Sequence, residues 1–177
     1  MYLGILAIII IIVLLKKRKP KIIEYPESKI LNINYQKSGG KNYCLVACLS
    51  MYLDYYGYEI SQNIIAKNIM KDDGSGANIQ KAIRFMKQYN INLIFAIIET
   101  IDIWKYIYKD EPIIAVMGYK LTNKSDHARL IKGYKPNILI TDDPSIRKNY
   151  ELTYKEFEEL SLVGTKKNYI HIIKKEK

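Results

Sequence analysis

The chain has 177 residues and a formal net charge of +10 at pH 7. With a short apolar N-terminal segment set aside, about 150 residues remain, which is enough for one domain with a sizeable hydrophobic core. Half of the net charge belongs to one cluster, Lys16, Lys17, Arg18, Lys19 and Lys21, and no later helix face interleaves basic with aromatic residues, so we expect no nucleic-acid partner. With 2 cysteines, the chain cannot build a disulfide framework beyond a single pair.

The N-terminal segment, residues 1–15, is almost wholly apolar and predicts a membrane-anchoring helix. Such a helix would be about 22 Å long, short for a hydrocarbon core of about 30 Å, so snorkelling lysines and local thinning would close the gap. A cleavable signal peptide has its positive charge before the apolar run, and this sequence has the reverse order. The positive-inside rule then predicts that the basic cluster at 16–21, and the domain behind it, lie on the cytoplasmic side. An interfacial segment that does not span the membrane is the alternative.

Residues 16–33 predict a basic, extended tether, and residues 34–177 a single domain. Pro20 and Pro26 disfavour helix in the tether. An extended segment that docks on the domain is indicated by a run of larger apolar residues: Ile30, Leu31, Ile33 and Tyr35.

Residues 42–57 predict a helix with one buried face. Apolar side chains recur there at three- and four-residue spacing: Leu45, Cys48, Leu49, Tyr52 and Tyr56. Gly57 easily adopts the left-handed conformation that ends helices. Cys44 falls in the first turn, where unpaired backbone amides and the helix dipole favour an ionised thiol.

The remaining elements predict helices first and an antiparallel sheet second, which makes an α+β domain. The helices are predicted at residues 61–71, 78–89, 101–108 and 153–160, the last with Thr153 and Glu156 as a capping box. The strands are predicted at residues 93–98, 113–119, 127–134, 138–141 and 169–173, with turns at 123–125 and 135–137. The loop at 72–76 lacks the regular ligand spacing of a calcium site and predicts a plain turn.

Three stretches, in this order, resemble the bacteriocin-processing peptidases, which are papain-like cysteine peptidases of family thirty-nine that cut after a double glycine in a leader peptide. Residues 44–49, Cys-Leu-Val-Ala-Cys-Leu, followed by Tyr-Tyr-Gly at 55–57, are similar to the family's catalytic helix. Residues 126–133 resemble its histidine strand, and residues 138–144 resemble the end of its aspartate strand, with Phe157 and Gly164 similar to its closing segment. The similarity covers roughly residues 34 to 173 and implies a papain-like cysteine peptidase fold.

The resemblance implies a catalytic set made of Cys44, His127, Asp143 and Gln36. Cys44 would be the nucleophile, and His127 the base. Adjacent strand residues point to opposite faces, so only one of Asp142 and Asp143 can meet His127. Asp143 precedes a proline, as the family's acid does, and would orient the imidazole. Gln36, with the backbone amide of Cys44, would bind the oxyanion.

Two departures from the family pattern keep a second function open. Gln36 lies eight residues before Cys44, where the family has six, and Leu45 replaces the family's glycine. A catalytically inactive domain that binds a leader or another peptide without cleaving it is therefore the alternative to a peptidase. Acyl transfer or amide hydrolysis by the same thioester chemistry, and a chance match with an inert, buried Cys44, also stay open.

The resemblance implies a peptide or protein substrate and no nucleotide or metal cofactor. A zinc site built on Cys44, Cys48 and His127 lacks a fourth ligand, and Cys48, one turn deeper, is predicted to be core. His171 is predicted to lie on a solvated strand face. Family members are often fused to a peptide exporter. The sequence contains no phosphate-binding Gly-x-x-x-x-Gly-Lys loop, so we expect a stand-alone peptidase or one that works with a separate transporter.

Overall fold

The structure is a computed structural model that describes residues 27–163 and 170–176. The predicted membrane segment at residues 1–15, the basic part of the predicted tether, and Gly164 lie outside these described residues. Within the described ranges, no helix is long and apolar enough to cross a membrane.

Helices dominate the first half of the described chain, and strands dominate the second half, as the sequence predicts. The α-helices are α1 (Cys44–Tyr55), α2 (Gln62–Ile69), α3 (Ile79–Met86), α4 (Trp104–Tyr108) and α5 (Tyr154–Val163). The strands are β1 (Lys29–Ile30), β2 (Leu93–Ile98), β3 (Ile113–Lys120), β4 (Asn123–Lys135), β5 (Ile138–Asp143), β6 (Arg147–Thr153) and β7 (Ile170–Lys175). Short 3-10 helices lie at Lys87–Tyr89 and Thr100–Asp102, so the single helix predicted at 101–108 is two short elements.

Helix α1 lies at the centre of the fold. It ends as predicted, because Gly57 has a φ of +86° and the amides of Gly57 and Tyr58 bond back to the carbonyls of Asp54 and Leu53. The prediction of one buried face is wrong, since every residue from Leu45 to Leu53 is buried. A helix that is buried all round is packed on more than one side. Helix α1 contacts both β4 and α2, so it is packed against the sheet on one side and against a helix on another.

The strands form one antiparallel sheet in the order β2-β7-β3-β4-β5-β6, with β1 paired to β4. The long strand β4 pairs with β3 over its first part and with β5 over its second. In strand β1, Lys29 pairs with Tyr134 and Ile30 with Gly133 of β4. Leu31 and Ile33, which follow β1 in the chain, are buried. The end of the predicted tether is therefore docked on the sheet.

Two parts of the sheet differ from the predictions. Residues 123–125, predicted as a turn, belong to β4, and the chain reverses one step earlier, at Leu121 and Thr122. Strand β6 was not predicted, because most of its side chains are exposed and it carries no apolar run. It is held instead by backbone pairing with β5.

The capping box at α5 forms as predicted. The backbone amide and hydroxyl of Thr153 each donate to Glu156 Oε2 at 2.8 Å, and the Glu156 amide donates to Thr153 Oγ1 at 3.1 Å. These bonds satisfy donors that a helix N-terminus otherwise leaves unpaired, and the same carboxylate lies at the positive end of the helix dipole.

Replacing Thr153 with alanine should lower the free energy of unfolding by about 1 kcal/mol, because the cap is lost from an otherwise unchanged helix. Urea unfolding followed by the fluorescence of Trp104, the single tryptophan, measures this difference. The matched control is Glu158→Ala, an exposed position on the same helix, which should change the value by less than about 0.5 kcal/mol. Equal losses in both variants would contradict the capping role.

Candidate active site

Cys44 is the first residue of α1, and its thiol is half-buried. The turn before it is built from residues 40–42, with Asn42 in the left-handed conformation at φ 61°. Asn42 Nδ2 donates to the carbonyl of Gly74 at 3.0 Å, which ties this turn to the neighbouring loop. As the sequence predicts, the thiol lies where α1 leaves its first backbone amides without helical partners.

His127 lies on β4, opposite Met117 of β3, and its side chain is buried. The Nε2 atom of its ring is 3.0 Å from Asp143 Oδ1. A second hydrogen bond joins the imidazole to the thiol of Cys44. The ring of Tyr119 lies edge-on to the imidazole, with 5.0 Å between ring centroids. The imidazole therefore lies between a thiol and a carboxylate.

Asp143 ends β5 and is fully buried. Its Oδ1 also accepts from the amides of Ser145 and Ile146 at 2.8 and 3.1 Å, and its Oδ2 accepts from Arg129 Nε at 2.6 Å. The neighbouring Asp142 lies 2.8 Å from the ammonium of Lys132 instead. The two adjacent carboxylates thus serve different partners, in keeping with the alternation of a strand.

The electrostatics of the three groups favour charge separation between the thiol and the imidazole. Burial opposes ionisation of Cys44, but the hydrogen bond and charge of His127, with the amides of Ala128 and Leu45, lower its pKa. Burial likewise opposes protonation of His127, but Asp143 and Cys44 raise the pKa of the imidazole. Burial alone would raise the pKa of Asp143, but the hydrogen bonds and charges of His127 and Arg129 lower it.

Cys48, one turn deeper on α1, is the natural comparison for Cys44. It is completely buried, and burial together with the nearby charges of Cys44 and Asp143 raises the pKa of its thiol well above the ordinary value. Two cysteines of one helix thus have opposite shifts, because only the first lies at the helix terminus beside an imidazole. Among the described residues, no group of three or more His, Cys, Asp or Glu side chains could hold a metal ion.

A cavity of about 370 Å³ opens at Cys44 and His127. Its walls include Lys71 and residues 75–77, at the loop that the sequence predicts as a plain turn over 72–76, and residues 125–128 of β4. The larger apolar side chains of the lining are Leu45, Ile79 and Val116. The thiol and imidazole are therefore accessible to a ligand from one side.

Gln36 is placed apart from the other three predicted site residues. Its Oε1 accepts from Ser50 Oγ at 2.9 Å and from Gln62 Nε2 at 3.4 Å. Ser50 lies six residues beyond Cys44, about 9 Å further along the axis of α1. The structure brings Cys44, His127 and Asp143 together and holds the amide oxygen of Gln36 at Ser50, so its oxyanion role stays a prediction.

Residues 29–170 match the profile described as the Peptidase_C39 like family, which is most of the chain. The chain belongs to this family. No curated protein sequence matches the chain.

Solved structures of C39 peptidases have the same fold as this family member, at low sequence identity. A crystal structure described as a C39-like peptidase from Bacillus anthracis is 16% identical, with a TM-score of 0.68, over 86% of this chain and 98% of that one. A double glycine motif protease from an AMS/PCAT transporter, in complex with the leader peptide, is 17% identical, with a TM-score of 0.61, over 83% and 94%. The peptidase domain of Streptococcus ComA, a bi-functional ABC transporter of a quorum-sensing pathway, is 15% identical, with a TM-score of 0.61, over 80% and 96%.

Arg129 is a residue of this candidate site that the sequence interpretation missed. It follows His127 by two positions on β4, so both side chains lie on the same face of the sheet. Its side chain is nevertheless 1% exposed. The same-face spacing was the available signal, but an arginine on a strand ordinarily indicates a solvated position.

Proposed function

We propose that this chain is a cysteine peptidase in which Cys44 is the nucleophile, His127 the general base and acid, and Asp143 the residue that orients the imidazole. The observation that carries the proposal is the contact of one buried imidazole with a thiol on one side and a carboxylate on the other. Membership of a peptidase family supports the same reaction class. No cofactor enters the proposal.

The reaction follows from the positions of the three groups. The Cys44 thiolate attacks the peptide carbonyl carbon, a C–S bond forms, and the oxyanion accepts from the Cys44 backbone amide, which has no helical partner. The imidazolium of His127 donates its proton to the leaving amine as the C–N bond breaks. His127 then takes a proton from water, whose oxygen attacks the thioester; the C–S bond breaks, the carboxylic acid is released, and the Cys44 thiolate and the His127 imidazolium are restored. Asp143 stays ionised throughout and stabilises the imidazolium.

The substrate that we propose is a peptide with a double-glycine leader. The support comes from the family and from the structural neighbour described as a double glycine motif protease in complex with the leader peptide. The neighbour described as the peptidase domain of an ABC transporter supports a peptide transporter as a partner. Attachment to the membrane through residues 1–15, with the domain on the cytoplasmic side, is the localisation that we propose from the sequence alone.

A second candidate function is a domain of the same fold that binds such a peptide without cleaving it. The observation that favours it is the contact of the Gln36 amide oxygen with Ser50, away from Cys44. Leu45, in the position of the family's glycine, also lines the cavity beside the thiol and reduces the room for a substrate backbone.

The pH dependence of Cys44 alkylation by iodoacetamide separates these candidates. We would use the full chain in detergent, with Cys48→Ala so that one thiol remains. Because the pKa of Cys44 is lowered, the thiol should react at pH values below the ordinary cysteine pKa of about 8.5. His127→Ala in the same background should return the reactivity to the ordinary range, since the hydrogen bond and charge of His127 are the main causes that lower the pKa of the thiol against the effect of burial.

A rate that follows an ordinary thiol curve, identical with and without His127, would rule out the proposed peptidase and leave the binding domain. Circular dichroism of both variants controls for loss of fold. The matched comparison is the single Cys44→Ala protein, whose remaining Cys48 is buried and should be almost unreactive.

A further inference from the structure

Arg129 is the largest fully buried side chain of the described chain, and its contacts converge on the candidate site. Its Nε donates to Asp143 Oδ2 at 2.6 Å, and Nη2 donates to the carbonyl of Tyr119 at 3.2 Å. Nη1 lies 2.8 Å from the sulfur of Met117. The guanidinium thus bridges the carboxylate that binds His127 and the backbone of the residue whose ring packs against His127.

Burying an arginine is costly unless its charge is compensated and its donors are bonded. The compensation here comes from Asp143, and no other carboxylate within the described residues makes an ion pair with Arg129. The two oxygens of Asp143 are divided between partners, with Oδ1 on His127 and Oδ2 on Arg129. Removing Arg129 would leave Oδ2 buried without its donor, although Oδ1 would keep its amide bonds.

The charges of the four groups balance in the reactive state. With the thiol ionised and the imidazole protonated, Cys44 and Asp143 carry two negative charges, and His127 and Arg129 carry two positive charges. Arginine stays protonated in proteins, so its contribution is constant. Without Arg129, the same state would hold a net negative charge in a buried site, and ionisation of the thiol would be opposed.

The other titratable groups around this cluster do not replace that charge, and the two that line the cavity with Cys44, Lys71 and Asp126, are exposed to solvent. Asp142 is paired with Lys132, and the guanidinium of Arg147 lies over the ring of Tyr150, which Arg129 also faces. Two further neighbours on other elements are Tyr35, whose hydroxyl donates to the Asp143 carbonyl, and Cys48 on α1. Tyr119, on β3, lies edge-on to the His127 ring. The positive charge of Arg129 also acts on α1, where it favours a lower pKa for the thiol of Cys48.

We propose that Arg129 is a positioning residue, which holds Asp143 in place through the hydrogen bond from its Nε and supplies the charge that balances the thiolate of Cys44. The proposal rests on the peptidase function proposed above. Arg129 acts through Asp143 and touches no reacting atom. The sequence interpretation did not select this strand arginine for a role in the site.

The test is the pH profile of Cys44 alkylation in the full chain with Cys48→Ala, compared with the same protein carrying Arg129→Met. Methionine keeps much of the volume and removes the charge. In the acidic limb of the profile, the alkylation rate rises with pH as the thiol ionises. We expect this limb to move to higher pH by about one unit or more in Arg129→Met, so that alkylation at pH 6 is about tenfold slower. Arg129→Lys keeps the charge and should leave the acidic limb close to the parent.

The matched control is Lys132→Met, which removes another buried cation from β4, one that faces Asp142 instead of Asp143. It should leave the acidic limb unchanged, even if it lowers stability. An Arg129→Met profile that coincides with the parent, when the parent shows the depressed limb, would overturn the role of Arg129 and leave the peptidase proposal intact. An ordinary thiol curve in the parent would remove both proposals.

Folding of the variants is monitored by circular dichroism at each pH. If Arg129→Met does not fold, the lysine variant decides the question. An acidic limb that moves by about one unit in Arg129→Lys, with the charge retained, would overturn the charge-balancing role.

Discussion

Replacing Cys44 with alanine should abolish cleavage of a leader peptide that carries a double glycine, lowering kcat/KM by a factor on the order of 10⁴ or more. The loss should be this large because Cys44 is the only thiol among the described residues that line the cavity, and without it no thioester can form there. Mass spectrometry of a synthetic leader peptide detects the cleavage site directly. The peptide with both glycines replaced by alanine tests the proposed substrate class in the same assay.

Cys48→Ala is the matched control for this loss. It removes the same atoms from the same helix, one turn deeper, where the thiol is completely buried and its pKa is raised. It should retain cleavage, apart from any loss of folded protein. Cleavage that survives in Cys44→Ala at the rate of the starting protein would assign the activity to another residue or to a contaminant. Leader binding without cleavage in the starting protein, measured by fluorescence anisotropy, would favour the binding domain.

The part of the site that the sequence could predict depends on local rules. Cys44 could be placed at a helix terminus because Gly57 and the apolar spacing define the helix behind it, and Asp143 could be chosen over Asp142 because strand neighbours point to opposite faces. Both placements match the geometry that the structure has. The family resemblance supplied the remaining step, since nothing in the spacing of residues 44, 127 and 143 brings them together.

The parts that sequence reasoning missed depend on tertiary contacts. The all-round burial of α1 follows from its contacts with both α2 and the sheet, and a period of 3.6 residues cannot reveal a second partner. Strand β6 is held by backbone bonds to β5, which leave no apolar signature in its side chains. Arg129 is buried because one carboxylate, fourteen residues later in the chain, meets it across the β4–β5 pair.

The ion pairs of Asp143 lead to the second large expected effect, on stability. Asp143→Ala should lower the free energy of unfolding by about 3–5 kcal/mol near pH 5.5, because it leaves Arg129 buried without its carboxylate and His127 without its partner. Unfolding by urea, followed by the fluorescence of Trp104, measures the loss in the full chain in detergent. Glu158→Gln, an exposed carboxylate, is the control and should change the value by less than about 0.5 kcal/mol.

The pH dependence of that loss has a sign that distinguishes an ionic role from simple packing. The pKa of Asp143 is lowered in the folded state, so its contribution is present above the unfolded pKa of about 3.9 and is lost as the pH falls through the folded value. The pKa of His127 is raised, so its contribution is complete below about 6.5 and is lost as the pH rises through the folded value. The difference between the starting protein and Asp143→Ala should therefore be largest between about pH 4 and pH 6.5 and smaller on both sides. A difference that stays constant from pH 3 to pH 9 would mean that Asp143 stabilises the fold through its volume and neutral hydrogen bonds, and the charged cluster of Cys44, His127, Asp143 and Arg129 would then lose its physical basis.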